Sequence, residues 1–113
     1  MSTKAKKSPQ EIQKRLKEIS EVVERVIKEE KLEKNIKSVS VFGSVVRGEE
    51  TKDSDIDFFV EFLEPLGLFS LAGLQISLKE NLQKKVDIGV RESLNKYIEK
   101  EVINNSKIIY ERG

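Results

Sequence analysis

Two aspartates stand two residues apart in the run Asp55-Ile56-Asp57, and a third, Asp87, lies between Val86 and Ile88. In an extended chain alternate residues share a face and their Cα atoms lie about 6.6 Å apart, so the carboxylates of Asp55 and Asp57 can converge. If the segment around Asp87 pairs with the first, all three share one patch. Aspartate is disfavoured in strands, and like charges at this spacing oppose one another's ionisation unless a cation compensates. Oxygen-only ligands favour Mg²⁺, with Mn²⁺ as a substitute. A D-x-D pair alone fits a solvated sheet face equally well.

The preceding segment adds a second kind of chemistry. Gly43-Ser44 ends an apolar run, Arg47 follows, and ten residues separate Ser44 from Asp55. A glycine there lets backbone N–H groups approach a phosphate, and the serine hydroxyl adds a donor. The segment is not a Walker A loop, because no G-x-x-x-x-G-K-[ST] occurs. The chain of 113 residues contains neither Cys nor His. Zinc sites of Cys/His type, His-dependent nucleophilic catalysis and disulfide frameworks are thereby excluded. Lys and Arg number 21 against 20 Asp and Glu, a formal charge of +1, so no global field draws in nucleic acid or an anionic membrane. No apolar stretch reaches spanning length and no signal-peptide pattern opens the chain, which predicts a cytoplasmic protein.

The elements that must carry these residues follow from periodicity. A basic tail is expected over residues 1–8, and one domain over 9–113. Ser8-Pro9-Gln10-Glu11 is a capping box with proline at the first helical position. The apolar residues Ile12, Leu16, Ile19, Val22 or Val23, Val26 and Ile27 then predict an amphipathic helix over about 9–31. Strands are expected over 36–42, 55–62 and 85–90, where apolar residues alternate, and Gly48 to Ser54 reads as a loop. A second long helix is expected over 68–84, weakened at Gly73, then a helix from a Ser93 cap to about Ile103 and a short terminal strand. The fold class is α/β (α+β): a small mixed sheet with helices packed on one face, the second and third strands adjacent. Tyr97 and Tyr110, the only tyrosines, are read as packing at element ends.

With those residues in place, the stretch GSVVRGEETKDSDID, Gly43 to Asp57, resembles the signature of the DNA polymerase beta-like nucleotidyltransferases. In detail the chain is similar to the minimal nucleotidyltransferases, the antitoxin partners of HEPN toxins, over nearly its whole length. The resemblance implies a nucleotidyltransferase fold, with Gly43 and Ser44 holding a nucleoside triphosphate and Arg47 contacting phosphate or partner. It implies that Asp55 and Asp57 bind two Mg²⁺ ions and that Asp87 completes the catalytic metal site. It further implies ATP as substrate, and AMP transfer to a tyrosine of a cognate HEPN toxin ribonuclease.

Two other functions stay open on sequence grounds. One is a non-catalytic antitoxin that masks its toxin, against which three intact carboxylates argue. The other is a small-molecule nucleotidyltransferase of the aminoglycoside-modifying type, against which the short stretch after Asp87 argues. An acceptor held by so little chain is expected to come with a partner, as a homo-oligomer or a hetero-oligomer with the toxin. No direct nucleic-acid binding and no membrane association are expected.

Overall fold

The computed structural model describes residues 6–90 and 95–112. Among them the elements follow in the order α1 (Pro9–Glu29), β1 (Ile36–Phe42), α2 (Ser44–Arg47), β2 (Ile56–Phe62), α3 (Leu68–Leu82), β3 (Val86–Val90), α4 (Lys96–Asn104) and β4 (Ser106–Glu111). The capping box at the start of α1 is complete. Ser8 Oγ accepts from the Glu11 N–H at 3.2 Å, and the Glu11 carboxylate accepts from the Ser8 N–H at 3.0 Å. The helix stops two residues before the expected end because Lys31 turns left-handed, with φ of 57°.

The strands form one mixed sheet in the order β3-β2-β1-β4. β1 runs antiparallel to both β2 and β4, whereas β2 and β3 are parallel, which the crossover through α3 permits. Val39 and Val41 of β1 and Ile56, Phe58 and Val60 of β2 meet Ile19, Val23, Val26 and Ile27 of α1 and Leu74 and Leu78 of α3 in one buried cluster. Burying a side chain of this kind contributes about 1.5–3 kcal/mol, so this layer holds the sheet against α1 and α3.

The expectation of helices on one face holds for α1 and α3. α4 instead borders a hollow of about 530 Å³ on the opposite face, where Ile103 faces Ser38, Ser40 and Phe59. Phe59, on the same side of β2 as Asp57, is 5% exposed, so that face is not uniformly solvated. Lys7, expected in the tail, is tied to the domain by its N–H to the Gly48 carbonyl at 3.0 Å. Residues 1–5 of the expected tail and the Ser93 cap lie outside the described residues. Tyr110 packs against the core, but Tyr97 is 89% exposed and does not pack as expected. Among the described residues no helix is long and apolar enough to cross a membrane.

Candidate active site

Strand pairing brings the carboxylates together. In the parallel register Asp57 lies opposite Asp87, and in the antiparallel register it lies opposite Phe42, the residue before Gly43. Asp57 therefore stands on the central strand between the glycine turn and the third carboxylate. Its side chain is on the face opposite the core because its neighbours Ile56 and Phe58 are fully buried. Asp55 precedes β2 rather than opening it, and it is exposed, as is Asp87.

Gly43 fits where no other residue would. Its φ is +85°, and a Cβ on it would lie 2.7 Å from Asp57 Oδ2. An alanine there would pair backbone strain with a collision against a carboxylate oxygen. The bare backbone thus lies directly beside Asp57, and α2 begins at the next residue, Ser44. The short helix is closed by Gly48, at φ of 73°, and by the Glu49 N–H donating to the Ser44 carbonyl at 2.8 Å.

The charges explain how the patch behaves. Burial pushes the Asp57 carboxyl above its ordinary value, the neighbouring Asp87 and Asp55 charges push it the same way, and Arg47 pulls it back. Arg47 is itself steered by Glu49, whose Oε1 accepts from the Arg47 Nε at 2.8 Å. That bond holds the Glu49 carboxyl below the usual range. Lys6 lies 3.7 Å from the same carboxylate, so two cations flank Ser44 in a hollow of about 350 Å³ that Thr51 and Ser54 also line. On the other side of Gly43 a smaller hollow, about 260 Å³, lies between Phe42, Arg47, the α4 residues Glu101 and Val102, and Asn105 just after the helix.

All six residues singled out in the sequence, Gly43, Ser44, Arg47, Asp55, Asp57 and Asp87, fall at this end of the sheet. The donor set is oxygen-only, and the missing Cβ of Gly43 leaves the Asp57 carboxylate room beside it, so the residues fit a hard divalent cation. Asp55 and Asp87 are near enough to raise the Asp57 carboxyl, but among the described residues no three acidic side chains are closed around one point, short of the single closed patch expected. Lys6, Glu101 and Asn105 were not legible as site neighbours. Their proximity to Gly43 and Ser44 arises from how the chain's ends fold back, which no local spacing encodes.

The family model described as "Polymerase beta, Nucleotidyltransferase" matches residues 21–113. A Methanocaldococcus jannaschii chain, provisionally assigned as a protein adenylyltransferase, is 38% identical over 90 residues, covering 79% of this chain and 92% of its own. The protein adenylyltransferase MntA of Thermococcus cleftensis is 34% identical over 95 residues, covering 84% of this chain and 94% of its own. The fold matches, at a TM-score of 0.64 and 17% identity, a chain of the complex between a tri-AMPylated Shewanella oneidensis HEPN toxin and an MNT antitoxin, covering 85% of this chain and 72% of that one. With the family model matched over residues 21–113 and these relatives covered over most of their length, the chain belongs to the polymerase beta nucleotidyltransferase family.

Proposed function

We propose that this chain is a metal-dependent protein adenylyltransferase acting in the cytoplasm, which transfers AMP from ATP to a tyrosine of a cognate HEPN toxin and so silences it. The observation that carries the reading is the placement of Asp57, with Gly43 against its carboxylate and Asp87 opposite it in register. The adenylyltransferase names of the relatives and the toxin in the solved complex support the choice of donor and acceptor.

Asp55, Asp57 and Asp87 would hold Mg²⁺, which when bound supplies positive charge that acidifies the acceptor hydroxyl and offsets charge on the leaving group. Gly43 and Ser44 bind the triphosphate through backbone N–H and hydroxyl donors, and Arg47 neutralises phosphate charge. The tyrosine oxygen bonds to the α-phosphorus as the α–β bridging P–O bond breaks, and pyrophosphate departs. Asp87 takes the tyrosine proton. Holding both reactants in line lowers the entropic part of the barrier.

Incubation of the chain with ATP labelled at the α-phosphate, Mg²⁺ and the cognate toxin tests this. Label is expected on a toxin tyrosine, with no transfer in EDTA. A toxin that is fully silenced yet unmodified by mass spectrometry would overturn the enzymatic reading in favour of masking.

A further inference from the structure

The segment between Gly48 and Asp55 joins the glycine turn to the first carboxylate, yet it has no regular structure and no apolar side chain. Something else must fix it. The Glu50 side chain, only 8% exposed, is gripped by two cations from distant parts of the chain. Arg15 of α1 clamps it bidentately, Nε to Oε1 at 2.9 Å and Nη2 to Oε2 at 2.9 Å. Lys84, between α3 and β3, reaches Oε2 at 2.8 Å. The same ammonium donates to the Thr51 carbonyl at 2.7 Å and to Ser54 Oγ at 3.3 Å, so its three protons have three acceptors. Ser54 in turn bonds the Thr51 N–H and carbonyl through its hydroxyl, both at 2.9 Å.

The two ends of this cluster are adjacent to the reacting patch in sequence. Ser54 immediately precedes Asp55, and Lys84 lies three residues before Asp87. The Ile56 N–H to the Lys85 carbonyl, at 2.9 Å, closes the same junction. We propose that Glu50 is a positioning residue: clamped by Arg15 and Lys84, it sets the entry of β2 against the entry of β3 and thereby the placement of Asp55 relative to Asp57 and Asp87. Burial alone would push the Glu50 carboxyl up, but the hydrogen bonds from Arg15 and Lys84 outweigh it and hold it below the usual range. The clamp therefore stays ionised at working pH. Misplacement of a reacting group by about 1 Å can cost on the order of a hundredfold in rate, so a loop set this way matters beyond stability.

This inference rests on the carboxylate patch being the metal and nucleotide site, and its test separates the two. Mn²⁺ binding in the presence of ATP is measured by electron paramagnetic resonance for the wild type, Glu50→Gln, Lys84→Gln and a destabilised control, Val26→Ala, below their melting temperatures. The two clamp variants are expected to bind Mn²⁺ about tenfold more weakly, and the control as the wild type does. Their kcat for transfer should fall by roughly ten- to a hundredfold while KM for the toxin is unchanged. Should Glu50→Gln fail to fold, Lys84→Gln and Arg15→Gln carry the comparison. Clamp variants that melt lower but bind Mn²⁺ as tightly as the wild type would reduce Glu50 to a structural role and overturn the proposal. A wild type that binds no Mn²⁺ with ATP would overturn the metal site itself, and with it the clamp's purpose.

Discussion

Two acidic centres lie one loop apart in this molecule, and they are built in opposite ways. The Glu50 side chain is 8% exposed, but Arg15 and Lys84 meet both of its oxygens, and its carboxyl is held below the ordinary value. Asp57 is half-buried, but the charges that act on it most strongly are those of Asp87 and Asp55, and its carboxyl is raised. Burial acts in the same direction on both; the difference lies in what surrounds them. A compensated carboxylate fastens the fold. An uncompensated set at the mouth of a glycine turn costs the fold something and leaves a demand for positive charge that a ligand can meet. The contrast therefore separates a carboxylate that acts on the site through the fold it fastens from carboxylates that meet the ligand directly.

The largest effect should come from removing charge where it is uncompensated. Asp55→Asn with Asp57→Asn keeps side-chain shape and should lower AMP transfer by a thousandfold or more, equivalent to about 4 kcal/mol of transition-state stabilisation. The melting temperature should not fall. Parallel assays of labelled transfer and thermal unfolding check both halves, and a variant that loses activity only because it unfolds would break the comparison.

Removing charge where it is compensated should cost the fold as well as the rate. Glu50→Gln leaves Arg15 and Lys84 without their anion and should destabilise the domain by about 2–4 kcal/mol, read from urea unfolding. A loss under about 0.5 kcal/mol would mean that solvent screens the clamp. The pH dependence gives an independent reading of the same centre. Because the folded carboxyl lies below its unfolded value of about 4.5, the contribution of Glu50 is fully present above that value and is lost as pH falls through the folded one. Wild type and Glu50→Gln should thus differ most near neutrality and converge in acid, a trend that melting curves from pH 3 to 7 would record.

Legibility in the sequence followed the range of the interactions. Helix α1 could be read from Ser8, Pro9 and Glu11 because a capping box is local, and β1 to β3 from alternation, which is also local. The adjacency of β2 and β3 was reached indirectly, since three strand aspartates make chemical sense only together, and the register of Asp57 with Asp87 agrees. The helical spacing of α3 is legible although few of its apolar residues are buried. Leu74 and Leu78 are buried, but Leu68 and Phe69 at its start are 84% and 96% exposed. The Glu50 clamp could not be read at all. Its partners lie 35 and 34 residues away in opposite directions, and among so many Lys, Arg and Glu nothing local marks these three as a set.

The smallest expected effect is the most discriminating, because it asks the fold to improve when a site residue is lost. Asp57 and Asp87 face one another across adjacent strands, and like charges directly opposite in a sheet are destabilising. Asp57→Asn removes one of the two charges while leaving the buried neighbours Ile56 and Phe58 in place. Without divalent cations the variant should be more stable than the wild type by a few tenths to about 1 kcal/mol. Added Mg²⁺ should reverse the order, since it stabilises only a chain that can bind it, by an amount set by its concentration relative to the dissociation constant. Urea unfolding of both chains, in EDTA and again in millimolar Mg²⁺, makes the comparison. An Asp57→Asn chain less stable than the wild type in EDTA would mean that its carboxylate is held by partners as Glu50 is, and the distinction between the two centres would collapse.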